Sequence, residues 1–383
     1  MTAAPEIPIA LYLHFPWCVR KCPYCDFNSH PLRGDVPEET YVDALLRDLD
    51  FELAQHPESR PLTSIFMGGG TPSLFSGRAM KRLLEQTAQR LTFAPDIEIT
   101  LEANPGTVDE AHFRDYRAAG INRLSVGVQS LNAGHLKRLG RIHDPVEAQR
   151  AVAIARRAGF DNLNLDMMFA LPQQTLAQAQ ADIEALIALR PNHISYYQLT
   201  LEPNTEFAAR PPDLPDNDLA WEMQQQGQAL LAAAGYGQYE VSAYAQMGRQ
   251  ARHNLNYWRF GDYLGIGAGA HGKRTSDGRV TRRSRLKHPK AYQEHAGTAA
   301  ALAEDRQIPA GELPFEFAMN ALRLNEGFAI ADYEARTGLR WSDRAATLDR
   351  AAEQGLIETV DSTVRASALG QRHLNRLLGL FLD

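Results

Sequence analysis

Cysteine is scarce in this chain. Only three occur among 383 residues, Cys18, Cys22 and Cys25, and they share one short window. An odd number excludes a disulfide framework and suggests one shared ligand. Long apolar runs are also missing; none approaches the roughly 20 residues of a membrane-spanning helix. Met1 to Ile9 has no basic start and carries Pro5, Glu6 and Pro8, unlike a secretory signal, so a cytoplasmic protein is expected. Positive charge is not in excess: 40 Lys and Arg against 46 Asp and Glu give a net charge of −6, which argues against a nucleic-acid binder. What remains is a globular composition, 44% hydrophobic and 22% charged, long enough for two domains.

Hydrophobic periodicity predicts strands at Ile9–Phe15, Leu62–Met67, Asp96–Glu102, Ile121–Gln129, Asp161–Met168 and His193–Thr200. Helices are expected between them, at Glu38–Gln55, Ser76–Leu91, Asp109–Ala119, in pieces ending near Ala158, and at Leu176–Leu189. Alternating β and α elements predict a parallel sheet covered by helices. Within the strands, Glu102, Gln129 and Asp166 share the phase opposite to the aliphatic face. Side chains on a strand alternate between faces, so these polar groups are expected to converge at the C-terminal rim of a complete or partial barrel. After Thr200 the rhythm weakens. Pro211–Pro215 marks a linker, and a helix is expected near Asp218–Ala234. Residues 273–290 hold eight Lys or Arg and one Asp and read as a solvated basic loop. The last sixty or so residues read as helix, strand Gly355–Val360, strand Thr363–Ala366 and helix, the order of a small winged-helix module. Its acidic balance does not suit DNA.

Cys18-Val-Arg-Lys-Cys22-Pro-Tyr-Cys25 follows the first strand. Thiolates suit zinc or an iron–sulfur cluster. Zinc would need a fourth ligand, from His14 or His30. A 4Fe–4S cluster on three cysteines leaves one iron open to chelate a small molecule, and this spacing favours that reading.

C-x3-C-x2-C with Tyr24 before the last cysteine resembles the radical S-adenosylmethionine superfamily. Gly68-Gly69-Gly70-Thr71-Pro72 resembles its glycine-rich segment. The segments around Tyr12–Cys18, 68–73, 101–107, 125–130, 138–143 and 164–172 resemble the oxygen-independent coproporphyrinogen III dehydrogenase family in order, and the C-terminal module resembles its appended domain. The resemblance implies a partial (β/α)6 barrel with S-adenosylmethionine held by Tyr12, Tyr24, Gly69, Gly70, Thr71 and Glu102. It implies that Gln129, Arg141 and Asp166 match a second S-adenosylmethionine site of the dehydrogenase. Two features depart from that family. Phe27 stands where the dehydrogenase pattern has a further cysteine, and the first strand begins near Ile9. Both, with 23–30 (PYCDFNSH) and His253-Asn254-Leu-Asn-Tyr257-Trp258, resemble the haem chaperone family HemW.

That resemblance implies haem as cargo and acceptor haemoproteins, in solution or at a membrane. A homodimer is left open, and oxidative decarboxylation of coproporphyrinogen III is the alternative activity. Whether the chain is an enzyme is open; the oxidase activity is not expected. An imidazole commonly ligates haem iron, so His253 is the candidate, with Tyr257 and Trp258 as aromatic walls and His271 as rival. Arg282, Arg283 or Arg285 could meet the propionates, or the basic stretch could steer an acidic partner or an anionic membrane. The expected organisation is a barrel with extension over 1–272, a basic loop over 273–290 and a mainly helical C-terminal domain over 291–383.

Overall fold

The computed structural model describes residues 7–382. β1 (Ile9–Phe15) leads into two short strands, β2 (Trp17–Cys18) and β3 (His30–Pro31), which pair with each other across the cysteine loop. There follow α1 (Glu38–Gln55), β4 (Leu62–Gly69), α2 (Gly77–Ala88), β5 (Phe93–Ala103), α3 (Glu110–Ala118) and β6 (Arg123–Gln129). The series continues with α4 (Ala133–Arg138), α5 (Pro145–Arg157), β7 (Leu163–Phe169), α6 (Leu176–Ala188) and β8 (His193–Gln198). β1 and β4 to β8 pair in parallel, in chain order. The six expected strands are therefore present, with bounds moved by a few residues. Helix starts follow side-chain chemistry: Ser76, Asp109, Asp144 and Thr175 each accept a hydrogen bond from an N–H of the first turn.

Ile99, Leu101, Leu124, Val126, Leu163 and Leu165 point outward from the sheet into one buried core beneath the helices. Each strand buries two faces, the apolar one under helices and the polar one inside the barrel, as a helix-covered parallel sheet requires.

Beyond β8 come α7 (Glu206–Ala209), α8 (Asn217–Ala233), β9 (Gly237–Glu240), β10 (Ala243–Ala245), α9 (Arg252–Trp258), β11 (Asp262–Ile266), β12 (His271–Ser276), β13 (Arg279–Arg285), α10 (Pro289–His295) and β14 (Leu302–Gln307). Together they extend the sheet to twelve strands in the order β14-β13-β12-β11-β1-β4-β5-β6-β7-β8-β10-β9. β11 runs parallel to β1, and the outer strands are antiparallel. The sheet is open at both ends, a partial barrel.

The stretch 273–290 corrects the sequence reading. It is the β12–β13 hairpin and the turn into α10, not a solvated loop. Most of its cations are consumed inside the molecule, while Arg279, Lys287 and Lys290 stay exposed. Arg285, 1% exposed, donates to Asp48 at 2.9 Å and Glu52 at 2.7 Å on α1. Arg283 reaches Glu52 and Asp305, and Arg282 reaches Tyr263 and Glu316. Lys273 donates to Asp262 at 3.0 Å beneath the Phe260 ring. The partners lie up to some 240 residues away in sequence, so charge composition alone suggests solvent where the fold supplies carboxylates. These arginines accordingly have carboxylate partners within the fold in place of haem propionates, an acidic partner or a membrane.

The remaining elements are α11 (Leu313–Ala321), β15 (Phe328–Ala329), α12 (Ile330–Thr337), α13 (Ala345–Glu353), β16 (Ile357–Val360), β17 (Thr363–Ala366), α14 (Ala368–Arg372) and α15 (Leu374–Gly379). They form the expected winged-helix-like order around a three-stranded sheet and a second apolar core, which also takes in Phe260 and Val280. Among the described residues, no helix is long and apolar enough to cross a membrane.

Breaking a buried ion pair leaves an uncompensated charge. Arg285→Ala is therefore expected to lower unfolding free energy by about 3–5 kcal/mol in chemical denaturation. Arg306→Ala, whose pairs with Glu304 and Glu312 are exposed, should leave the midpoint unchanged.

Candidate functional site

At the C-terminal ends of the barrel strands lies a cavity of about 150 Å³. Cys18, Cys22 and Cys25 line one wall. Gly69, Gly70, Thr71, Glu102, Gln129, Arg141, Asp166 and Tyr24 line the rest. Eight of the nine residues expected to hold S-adenosylmethionine thus meet the three thiols in one place. Tyr12 does not line the cavity. It sits one layer deeper, its hydroxyl donating to His14 Nδ1 at 3.0 Å.

The cysteine loop is held by main-chain hydrogen bonds. Gly70 N–H donates to Phe15 O and Thr71 N–H to Trp17 O, each at 2.7 Å. These seat the glycine segment against the strand that leads into the cysteines. A Cβ on Gly70 would meet the Trp17 carbonyl oxygen at 2.5 Å, and one on Gly69 would strike the His14 ring. Gly69 also has φ +111°, a conformation side chains disfavour. His14 Nε2 donates to the Asn28 carbonyl at 2.8 Å, which leaves Nδ1 to accept from Tyr12. Burial lowers the His14 imidazole to about 4, so it is neutral and fully engaged and has no free nitrogen for a metal.

Burial also pushes the Cys18 and Cys25 thiols up. Arg141 Nη1 approaches Cys22 Sγ at 3.7 Å, and its Nη2 donates to Gly127 O at 2.7 Å. Arg141 Nε is buried with no partner. Opposite stand two carboxyls. Glu102 accepts from Gly69 N–H at 3.0 Å, but burial and the nearby Asp166 raise it to about 8. Asp166 is raised by burial despite hydrogen bonds from Asn164 and Ser125. Two acids short of compensating cations and a guanidinium with an unpaired N–H are the complement of a zwitterionic amino-acid group.

The sequence reading missed Tyr197, which donates to Gln129 Oε1 at 2.8 Å, and Asn104, which shares the lining with Ser125. Tyr197 stands on β8 in phase with Ser195, so strand alternation could have found it. It also missed the polar ladder beneath Asp166, in which Asn164 accepts from His193 Nδ1 at 2.6 Å and Tyr239 donates to His193 Nε2 at 2.8 Å.

His253 is a correction. α9 packs under the N-terminal ends of β4 and β5, at the opposite end of the barrel from the cysteines. The ring is 1% exposed and lies 5.1 Å from the Phe66 ring. Nδ1 meets Ser64 Oγ at 3.0 Å and Nε2 meets Tyr257 Oη at 2.8 Å. Burial and Arg123 lower it to about 3. Both nitrogens are occupied, so this histidine seals the barrel floor and holds no nitrogen free for haem iron in this structure. Trp258 likewise has Arg323 over its ring at 4.3 Å. His271 remains exposed at the start of β12.

A radical SAM superfamily model matches residues 12–186, and a HemN C-terminal domain model matches 308–373. The chain is 51% identical to the heme chaperone HemW of Escherichia coli over 98% of both chains. It is 50% identical to that of Haemophilus influenzae, again over 98% of each. The chain belongs to the HemW family. Its fold is also that of E. coli coproporphyrinogen III oxidase HemN, with a TM-score of 0.82 over 99% of this chain and 91% of that one at 23% identity. HemW relatives thus span the whole chain, including the winged-helix-like module.

Glu102 supplies a pH signature. An acid raised in the folded state keeps its proton where the unfolded chain has lost it. Unfolding free energy of the ligand-free protein should therefore fall as pH rises from about 4.5 to about 8. Denaturant midpoints measured across that window should fall less steeply in Glu102→Gln.

Proposed function

We propose that the chain is a haem chaperone. It carries a 4Fe–4S cluster on Cys18, Cys22 and Cys25, chelates S-adenosylmethionine at the open iron, binds haem as cargo and passes it to acceptor haemoproteins. The observation that carries this reading is identity of about one half, end to end, with proteins named heme chaperones, while the oxidase shares the fold at 23%. Phe27 supports it: the residue at the oxidase's further cysteine position is an exposed ring at the cavity mouth.

The residues suit these groups. Three thiols without other sulfur ligands leave one iron of a cubane open. When bound, such a cluster supplies a low-potential electron and a coordination site. Around it, Glu102 and Asp166 accept from an ammonium or ribose hydroxyls, Arg141 Nε donates to a carboxylate, and the glycines admit the ligand close to the backbone. Tyr24 and Gln129 flank the same space. The acceptor is a haemoprotein, soluble or membrane-bound, and a homodimer would carry two such sites.

Anaerobic reconstitution should give about four irons per chain, lost in Cys18→Ser, Cys22→Ser and Cys25→Ser alike. S-adenosylmethionine should perturb the spectrum of the reduced cluster, and Glu102→Ala should weaken its binding by about 1–3 kcal/mol. Incubated separately with haem and with coproporphyrinogen III, the reconstituted protein should give a Soret band from bound haem and no decarboxylated product. Turnover of coproporphyrinogen III would refute the chaperone reading in favour of the oxidase.

A further inference from the structure

A protein that gives haem away needs an iron ligand the acceptor can reach. His14, His135, His143, His193 and His253 are buried, and His112 is paired with Asp109, while His271, His288, His295 and His373 are exposed. Among the described residues only one contact joins two histidine rings: His30 and His288 lie with centroids 5.7 Å apart and planes at 69°. His30 follows the cysteine loop, and exposed His288 precedes α10.

Two residues before Ser29 on the same loop is Phe27, 57% exposed and, among the described residues, the one aromatic of the exposed large apolar side chains. The loop is rigid. Ser29 N–H donates to Phe27 O and His30 N–H to Pro16 O, each at 2.7 Å. Asn28 Nδ2 donates to Ala268 O at 2.8 Å and to Lys287 O at 2.9 Å, pinning Phe27 and His30 to the segment that carries His288. Cations surround the pair. Lys21 Nζ rests on Phe27 O at 3.1 Å, Lys287 is exposed beside His288, and Arg20 lines the cavity mouth. Asp26 is the one acid between Val19 and Arg33.

We propose that haem docks on this shoulder of the cluster opening, with His288 on the iron, the macrocycle against Phe27 and the propionates toward Lys21 and Lys287. An accessible imidazole ligates iron, an uncovered ring packs on a flat apolar plate, and ammonium groups meet carboxylates. His30 buttresses the ligand, its ring set against that of His288. Transfer is ligand exchange. An acceptor imidazole bonds to the open face of the iron, then the iron–His288 bond breaks, and no electron moves. This inference rests on the haem-chaperone reading and assigns its site.

The test is anaerobic haem titration of the cluster-reconstituted full chain, followed by the Soret band. The wild type should bind one haem per chain with a Soret band displaced from that of free haem. His288→Ala, a change at an exposed side chain, should lose that displacement and bind about tenfold or more weakly. Phe27→Ala should weaken binding about two- to tenfold while leaving the Soret position in place. Metal-free protoporphyrin should bind the wild type and His288→Ala alike. Wild-type affinity and Soret position in His288→Ala would overturn this site and leave the chaperone reading standing. A wild type that takes up no haem would overturn the chaperone reading itself.

Discussion

The crossing of the β4–glycine segment over the end of β1 is the contact on which the site hangs. Two main-chain hydrogen bonds, Gly70 to Phe15 and Thr71 to Trp17, tie the strand that launches the cysteines to the strand that ends in glycine. The approach is close enough that a side chain at either Gly69 or Gly70 would collide with its neighbour. Beneath it His14, locked between Tyr12 and the Asn28 carbonyl, carries the same constraint to the far side of the cysteine loop. One backbone crossing thus orients three thiols, the glycine cradle and the Phe27–His30 shoulder together.

The barrel interior is polar from floor to rim, and buried groups without a hydrogen-bond partner occur at both ends, Thr100 Oγ1 and Arg123 Nε toward the floor and Arg141 Nε at the rim. At the floor, Ser64, His253 and Tyr257 pair with one another, and Arg252 and His253 main-chain N–H groups donate to Glu98. At the rim, Glu102 and Asp166 are held above their ordinary carboxyl range and Arg141 Nε has no partner. Buried polar groups left incomplete around an open cavity suit a ligand, because a ligand there offsets the cost of their desolvation. His253 is sealed from solvent with both nitrogens paired, whereas the rim carboxyls are half-buried and open onto the cavity, and that separates a structural residue from a binding one.

The extension beyond the barrel is held on by charge. Asp48 and Glu52 on α1 receive Arg285 and Arg283 from β13, and Tyr292 of α10 donates to Asp48 at 2.8 Å. The same network touches Gly267, whose N–H reaches Tyr292 Oη at 3.0 Å. Because α10 begins directly after His288, the ion pairs that fasten the hairpin also place that histidine beside the cysteine loop.

Local chemistry was legible along the chain. Alternation on β5, β6 and β7 placed Glu102, Gln129 and Asp166 on one interior, and the thiol spacing with the glycine triplet located the cavity, because side-chain phase and ligand spacing are properties of a few consecutive residues. Partnership was not. The same sequence that marks 273–290 as basic is silent on Asp48, Glu52 and Glu316, and His253 looks like a free imidazole until Ser64 and Tyr257 arrive from other elements. Whether a polar side chain is a ligand or a strut depends on which lone pairs and protons remain unspent after folding, and only the tertiary structure decides that.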